Sequence, residues 1–197
     1  MNFLAHIFLS RDEPKRMLGN FLGDLIRPKE LPLLAPRVAE GVRLHRAIDS
    51  FTDAHPIVRQ AAHRIMPVHH KYAPVIVDIW YDHLLVLHWE LVSPEESFPA
   101  FRARAYALLD AHFHLIPERL QPRIRAMIAA DWLRQYSHTT GLEDTFRRLA
   151  PRTSRPELLQ GVQVTLEQNL PLLMEEFPLF WADLSSFVKT WEPPVSL

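Results

Sequence analysis

The chain of 197 residues contains no cysteine. That excludes thiol nucleophiles, disulfides and sulfur-ligated zinc, and it fits a reducing compartment. Glycine is scarce, at 5 residues, and neither a G-x-G-x-x-G string nor a P-loop occurs. The usual phosphate-cradling loops of nucleotide enzymes are therefore missing. Charge of one sign is not in excess either: Lys+Arg 22 against Asp+Glu 23 leaves -1. A strongly basic surface is disfavoured, and no nucleic-acid partner is expected. The most apolar stretch, residues 73–92, is interrupted by Asp78, Asp82, His83, His88 and Glu90, too many costly groups for a bilayer span. The opening residues have no basic leader, and His6 breaks their apolar run. A cytoplasmic protein with no membrane partner is expected.

What is present is apolar periodicity of helical type. Leu4, Ile7 and Phe8 share a face behind Asn2, a suitable N-cap. Asp12 precedes Pro14 and an apolar face running to Leu25. Residues 28–36 hold three prolines and read as a loop. Helices are expected over 37–53, 56–66, 73–92 and 98–112, the last capped by Ser97. Two more fit 117–136, one fits 141–149, and a last one over 156–191 should kink at Pro171 and Pro178. Strand signals are weak. The expected fold is all-α, one compact multi-helix domain over residues 1–197. Phe177, Phe180, Trp181 and Phe187 recur at helical spacing and read as core.

Three segments place ionisable groups in apolar company. In 45-HRAIDSFTD-53, His45, Asp49 and Asp53 stand four apart, each about 40° from the last on a helix and close enough to share one ion. Asp78 and Asp82 repeat that spacing, and Asp24 ends the apolar turn 19-GNFLGD-24, whose Gly19 and Gly23 allow close helix approach. A carboxylate on an apolar face is costly unless paired or bound to a cation. Imidazole and carboxylate ligands without sulfur suit Mn, Fe, Mg or Zn. Residue by residue, another reading stays open, in which Asp78 and Asp82 neutralise Arg43 or Arg46 and His6 is a core histidine. His55, His63, 69-HH-70, His112 and His114 read as solvated surface.

In order and spacing, 1-MNFLAH-6, 19-GNFLGD-24, 40-EGVRLHRAIDSFTD-53 and 78-DIWYDHLL-85 resemble the acyl-carrier-protein phosphodiesterases, distant relatives of HD-type metal phosphohydrolases. The resemblance implies an all-helical HD-phosphohydrolase-like fold. It also implies a Mn(II)-preferring hydrolase, with Mg(II) or Fe(II) as alternatives. The implied reaction removes 4'-phosphopantetheine from holo-acyl carrier protein. The implied metal ligands are Asp24, His45, Asp49 and Asp78, together with His6. Arg46 and Asn20 would steady phosphoryl oxygens, and His83 would protonate the leaving serine oxygen with Asp82 orienting it. Carrier proteins are acidic, so Arg16, Arg27, Lys29, Arg37 and Arg43 are the first candidates for docking, ahead of the ten arginines in 102–155. The same residues would also serve a phosphohydrolase acting on nucleotides or small phosphate esters. A helical binding module held together by ion pairs is the alternative without catalysis.

Overall fold

A computed structural model describes residues 2–193; Met1 and residues 194–197 lie outside it. Its described residues form helices and turns with no strand. The helices are α1 (Phe3–Leu9), α2 (Pro14–Leu22), α3 (Pro36–Ala54), α4 (Pro56–His69) and α5 (Ala73–Leu87). They continue as α6 (Trp89–Val92), α7 (Phe98–Ala111), α8 (Gln121–Ala129), α9 (Thr139–Leu149) and α10 (Val162–Thr190). None is long and apolar enough to cross a membrane.

The prolines are compatible with so much helix because of where they sit. Pro14, Pro36 and Pro56 each occupy the first turn of a helix, where the missing N–H would have had no partner anyway. Helix α10 runs through both Pro171 and Pro178 without ending. Pro178 cannot bond the carbonyl of Met174, and the His88 ring takes that carbonyl instead, at 3.1 Å. His88 also ends α5. The helix expected over 73–92 is consequently two, meeting at this residue. Gly161, at φ +69°, starts α10 and separates it from the turn Pro156–Leu159. A single helix from 156 is thereby corrected. Within 117–136 only α8 is α-helical; Trp132–Ser137 is a 3-10 turn. Residues 28–33 of the expected loop are also 3-10. Glu13 rather than Asp12 caps α2, accepting from the Arg16 amide at 2.6 Å.

Helix α1 lies at the centre, with Leu4, Ala5, His6 and Ile7 fully buried. Around Phe8 pack Trp89, Phe101 and Trp181, with ring centroids 5.1–5.7 Å away. Phe177 and Phe180 are wholly buried, as their spacing suggested, and Phe187 stacks on Phe51 at 4.7 Å. His69 departs from expectation. It is buried, held by the Leu158 carbonyl at 2.7 Å and the Thr165 hydroxyl at 2.9 Å.

Two contacts fix the helices that matter most for the site. Helices α2 and α3 meet backbone to backbone: a Cβ on Gly19 would lie 1.9 Å from the Val38 carbonyl oxygen, and one on Gly41 would lie 2.1 Å from that of Arg16. Helix α1 is anchored on α5 by Asp82, whose carboxylate accepts from the amides of Leu4 at 2.7 Å and Ala5 at 3.2 Å. These amides belong to the first turn of α1, where no carbonyl of the helix reaches them. Asp82 thus caps α1 from 78 residues away.

Burial pushes the Asp82 carboxyl up to about 7, against the two amides, which favour the anion. Its folded value lies above the ordinary 3.8. The proton is therefore held more tightly in the folded chain, and that contribution is lost as pH rises through about 7. Relative to Asp82→Asn, which does not titrate, the wild-type chain should lose stability between about pH 4 and pH 7. Asp82→Ala, which strips both amides of their acceptor, should cost about 2 kcal/mol at acid pH and less as the wild type loses stability towards neutral pH. Urea unfolding of the three proteins at a series of pH values checks both. Parallel pH profiles for wild type and Asp82→Asn would contradict the burial argument.

Candidate metal centre

His45 and Asp49 stand one turn apart on α3, and His45 Nε2 lies 3.1 Å from Asp49 Oδ2. Asp24, just past the end of α2, approaches the same nitrogen at 3.1 Å. His6 arrives from α1 with Nε2 3.2 Å from Asp49 Oδ1. The two imidazoles stack with centroids 3.8 Å apart and planes 20° from parallel. Both histidines are buried, Asp49 is half-buried and Asp24 is exposed at the open edge. Ligand atoms of His6, His45 and Asp49 all fall within 4.8 Å of one another, a group able to hold a metal ion.

Asn20 on α2 sets both rings. Its side-chain oxygen faces His6 Nδ1 at 2.9 Å, and its backbone carbonyl faces His45 Nδ1 at 2.7 Å. An oxygen acceptor at each Nδ1 makes that nitrogen a donor, so that a neutral ring carries its lone pair on Nε2. The Asn20 amide group in turn donates to the His6 carbonyl at 2.9 Å and to the Ser10 hydroxyl at 2.5 Å. Both of its hydrogens are committed and the residue is wholly buried. It has none left to orient a phosphoryl oxygen, the role expected for it. Gly23 completes the seat: a Cβ there would fall 2.0 Å from His45 Cγ, so the ring occupies the space a side chain would take.

The charges are strained in the way a cation relieves. Burial and the neighbouring His45 hold the His6 imidazole down at about 4, so at neutral pH its Nε2 lone pair faces a carboxylate oxygen. Burial also pulls His45 down, but Asp24 and Asp49 outweigh it and raise the ring to about 9. Burial would raise Asp49; the two imidazoles overcome that and hold it well below the usual carboxylate range. Asp24 is lowered by its bond to His45. Two imidazole nitrogens and the Asp49 carboxylate converging on one point, with Asp24 beside His45 and both rings fixed from behind, fit a divalent cation.

The family described as acyl carrier protein phosphodiesterase matches residues 1–184. The chain belongs to this acyl carrier protein phosphodiesterase family. Among its relatives is an acyl carrier protein phosphodiesterase of Photorhabdus laumondii, 33% identical over 86% of this chain and 85% of its own. One of Serratia proteamaculans is 30% identical over 96% of this chain and 98% of its own. One of Yersinia enterocolitica is 30% identical over 92% and 93%. No solved structure matches.

The other residues expected at the centre of this family member are placed as follows. Asp78, on α5, is partly buried and raised by that burial; it feels the charge of Asp53 and Asp49 and lines a hollow of about 260 Å³ with Asp53, Arg59 and His63. Arg46 is exposed on α3, directly after His45. Asp82 and His83 are engaged elsewhere. Asp82 caps α1, and His83 Nδ1 donates to the Tyr136 carbonyl at 2.7 Å on another side of α5. Adjacent residues on a helix point about 100° apart, so the pair does not act as one unit. Among the docking candidates, Arg16 and Arg37 both pair with Glu40, while Arg27, Lys29 and Arg46 stay exposed near Asp24 and His45. Sequence reading passed over Ser10 and Gly41. Gly41 lies inside the quoted 40-EGVRLH-45 string, but only its distance from Gly19 reveals its task.

Proposed function

We propose that this chain hydrolyses the phosphodiester of holo-acyl carrier protein, giving apo-acyl carrier protein and 4'-phosphopantetheine. The observation that carries the reading is the convergence of His6, His45 and Asp49, with Asp24 3.1 Å from His45 and both imidazoles aimed by Asn20, in a chain of this family. These four residues would hold a divalent cation, with Asp78 as a further ligand from α5. Mn(II) is the first choice, since nitrogen and oxygen donors without sulfur suit it, ahead of Mg(II) and Fe(II). When bound, such a cation neutralises phosphoryl charge and acidifies water.

The chain's own residues do the rest. Asn20 is the positioning residue: it keeps Nδ1 of both rings protonated, so that Nε2 is the nitrogen turned to the cation. Arg46, exposed beside His45, binds a phosphoryl oxygen as charge builds during attack. Asp24, at the open edge, meets the substrate side of the centre. His83 and Asp82, the pair the resemblance nominated for proton donation, act in this reading by packing α5 against Tyr136 and α1. The HD-phosphohydrolase likeness of the fold belongs to the same reading.

The test is incubation of holo-acyl carrier protein with the enzyme and Mn(II), followed by mass spectrometry of the carrier. Loss of the prosthetic group is expected, and chelation should stop it. A folded, cation-loaded enzyme that leaves the holo carrier intact while hydrolysing nucleotides would overturn the substrate assignment. Because Arg27, Lys29 and Arg46 meet an acidic partner through water, kcat/KM should fall steeply between low and high salt. A rate indifferent to salt would remove electrostatic docking from the account.

A further inference from the structure

Away from the cation cluster, a cavity of about 430 Å³ opens between the start of α1, α5, α8 and α9. Its lining is apolar at depth, with Phe3, Ile79, Met127, Trp132 and Leu149. The rings of Phe3 and Trp132 meet edge on at 5.6 Å, and both lean on Phe21, which makes that wall rigid. Its size falls within the usual range for small-molecule pockets.

The mouth is cationic. Arg123, Arg148 and Arg152 line the cavity and are exposed. None is paired with a carboxylate among the described residues, whereas Arg102, Arg104, Arg119, Arg147 and Arg155 each are. Arg148 donates only to the Thr145 hydroxyl, at 3.3 Å. Burial, and then the charge of Arg152, both weigh against the Arg123 cation. Three unpaired guanidinium groups over an apolar hollow call for an anion that also carries apolar surface. Guanidinium suits carboxylate and phosphate alike through its planar fork.

We propose that this cavity binds an amphiphilic anion, with its apolar chain against Phe3 and Trp132 and its carboxylate or phosphate among Arg123, Arg148 and Arg152. Two sources share that chemistry: a free long-chain carboxylate, and the released acyl-4'-phosphopantetheine, whose phosphate is no longer held at the cation centre. Only the second rests on the proposed function. It is attractive because Phe3 and His6 lie three residues apart on α1, about 4.5 Å of helix rise.

Titration calorimetry of the full chain with dodecanoate, below its micelle concentration, tests the proposal. Saturable binding is expected, with 1-dodecanol and inorganic phosphate each at least about tenfold weaker. The double variant Arg123→Gln, Arg152→Gln should lose about tenfold through the anion. Ala126→Trp, which fills the hollow from α8 and leaves the arginines in place, should lose as much through the chain. Circular dichroism checks that both variants fold. Displacement of dodecanoate by S-dodecanoyl-4'-phosphopantetheine at lower concentration assigns the site to that released product; failure to displace assigns it to free carboxylates. Absence of dodecanoate binding to the folded chain, or equal affinity in wild type and both variants, overturns the proposal, whatever the carrier-protein assay shows.

Discussion

Asp49→Ala should lower Mn(II)-dependent release of phosphopantetheine by more than about a hundredfold, beyond the ten- to hundredfold typical of residues that merely support a ligand. Asp49 reaches both imidazoles, 3.2 Å from His6 and 3.1 Å from His45. Without it, the exposed Asp24 is left to serve the two stacked rings, and cation affinity should fall with the rate. The residue is half-buried rather than core, so the fold should survive. Cation titration and activity assays on a variant with unchanged circular dichroism check this. Unchanged affinity together with unchanged rate would remove Asp49 from the site. In the cation-free wild type a proton on His45, held up to about pH 9 by Asp24 and Asp49, competes with the metal. Binding at neutral pH should release protons to the buffer.

The second large effect comes from glycine. Gly19→Ala places a Cβ 1.9 Å from the Val38 carbonyl oxygen and 2.9 Å from Gly41 Cα. These are backbone atoms, which move only if α2 and α3 separate. Overpacking of this kind costs about 1–3 kcal/mol, and here it also parts Asn20 and Asp24 from His45. Stability and activity should fall together. Gly23→Ala is the sharper probe. The three atoms nearest its Cβ all belong to His45, with Cγ at 2.0 Å, so the imidazole must turn off its bond to the Asn20 carbonyl. Activity and cation affinity should drop by about tenfold or more, with less loss of stability than Gly19→Ala. Denaturation midpoints set beside rates separate the two variants. Full activity in Gly23→Ala would show that the seat of His45 tolerates displacement.

Much of this fold was legible because helical periodicity is a local signal. Asn2 and Ser97 cap their helices as their positions suggested. The four-residue spacing of His45 and Asp49 marked the heart of the site. What escaped depends on contacts far apart in sequence. The end of α5 at His88 is tied to a carbonyl that Pro178 leaves free on α10, and no window around residue 88 contains that proline. Asp82 looked like half of a catalytic pair because it neighbours His83. Its partners are amides 77 and 78 residues away, and only the docking of α1 on α5 reveals them. Asn20 looked like a substrate contact, yet His6, His45 and Ser10 use up its polar atoms. His69 resembled surface because it stands in a histidine run on loop-prone sequence, although the groups that hold it lie 89 and 96 positions on.

The central claim is that four side chains from three helical segments share one divalent cation. Crystals of the active enzyme grown with Mn(II), with diffraction recorded on both sides of the manganese absorption edge, test it most directly. The account requires an anomalous peak bonded to Nε2 of His6, Nε2 of His45 and the Asp49 carboxylate. An enzyme that releases phosphopantetheine in a manganese-dependent way, yet shows its peak elsewhere or none among these residues, would contradict it.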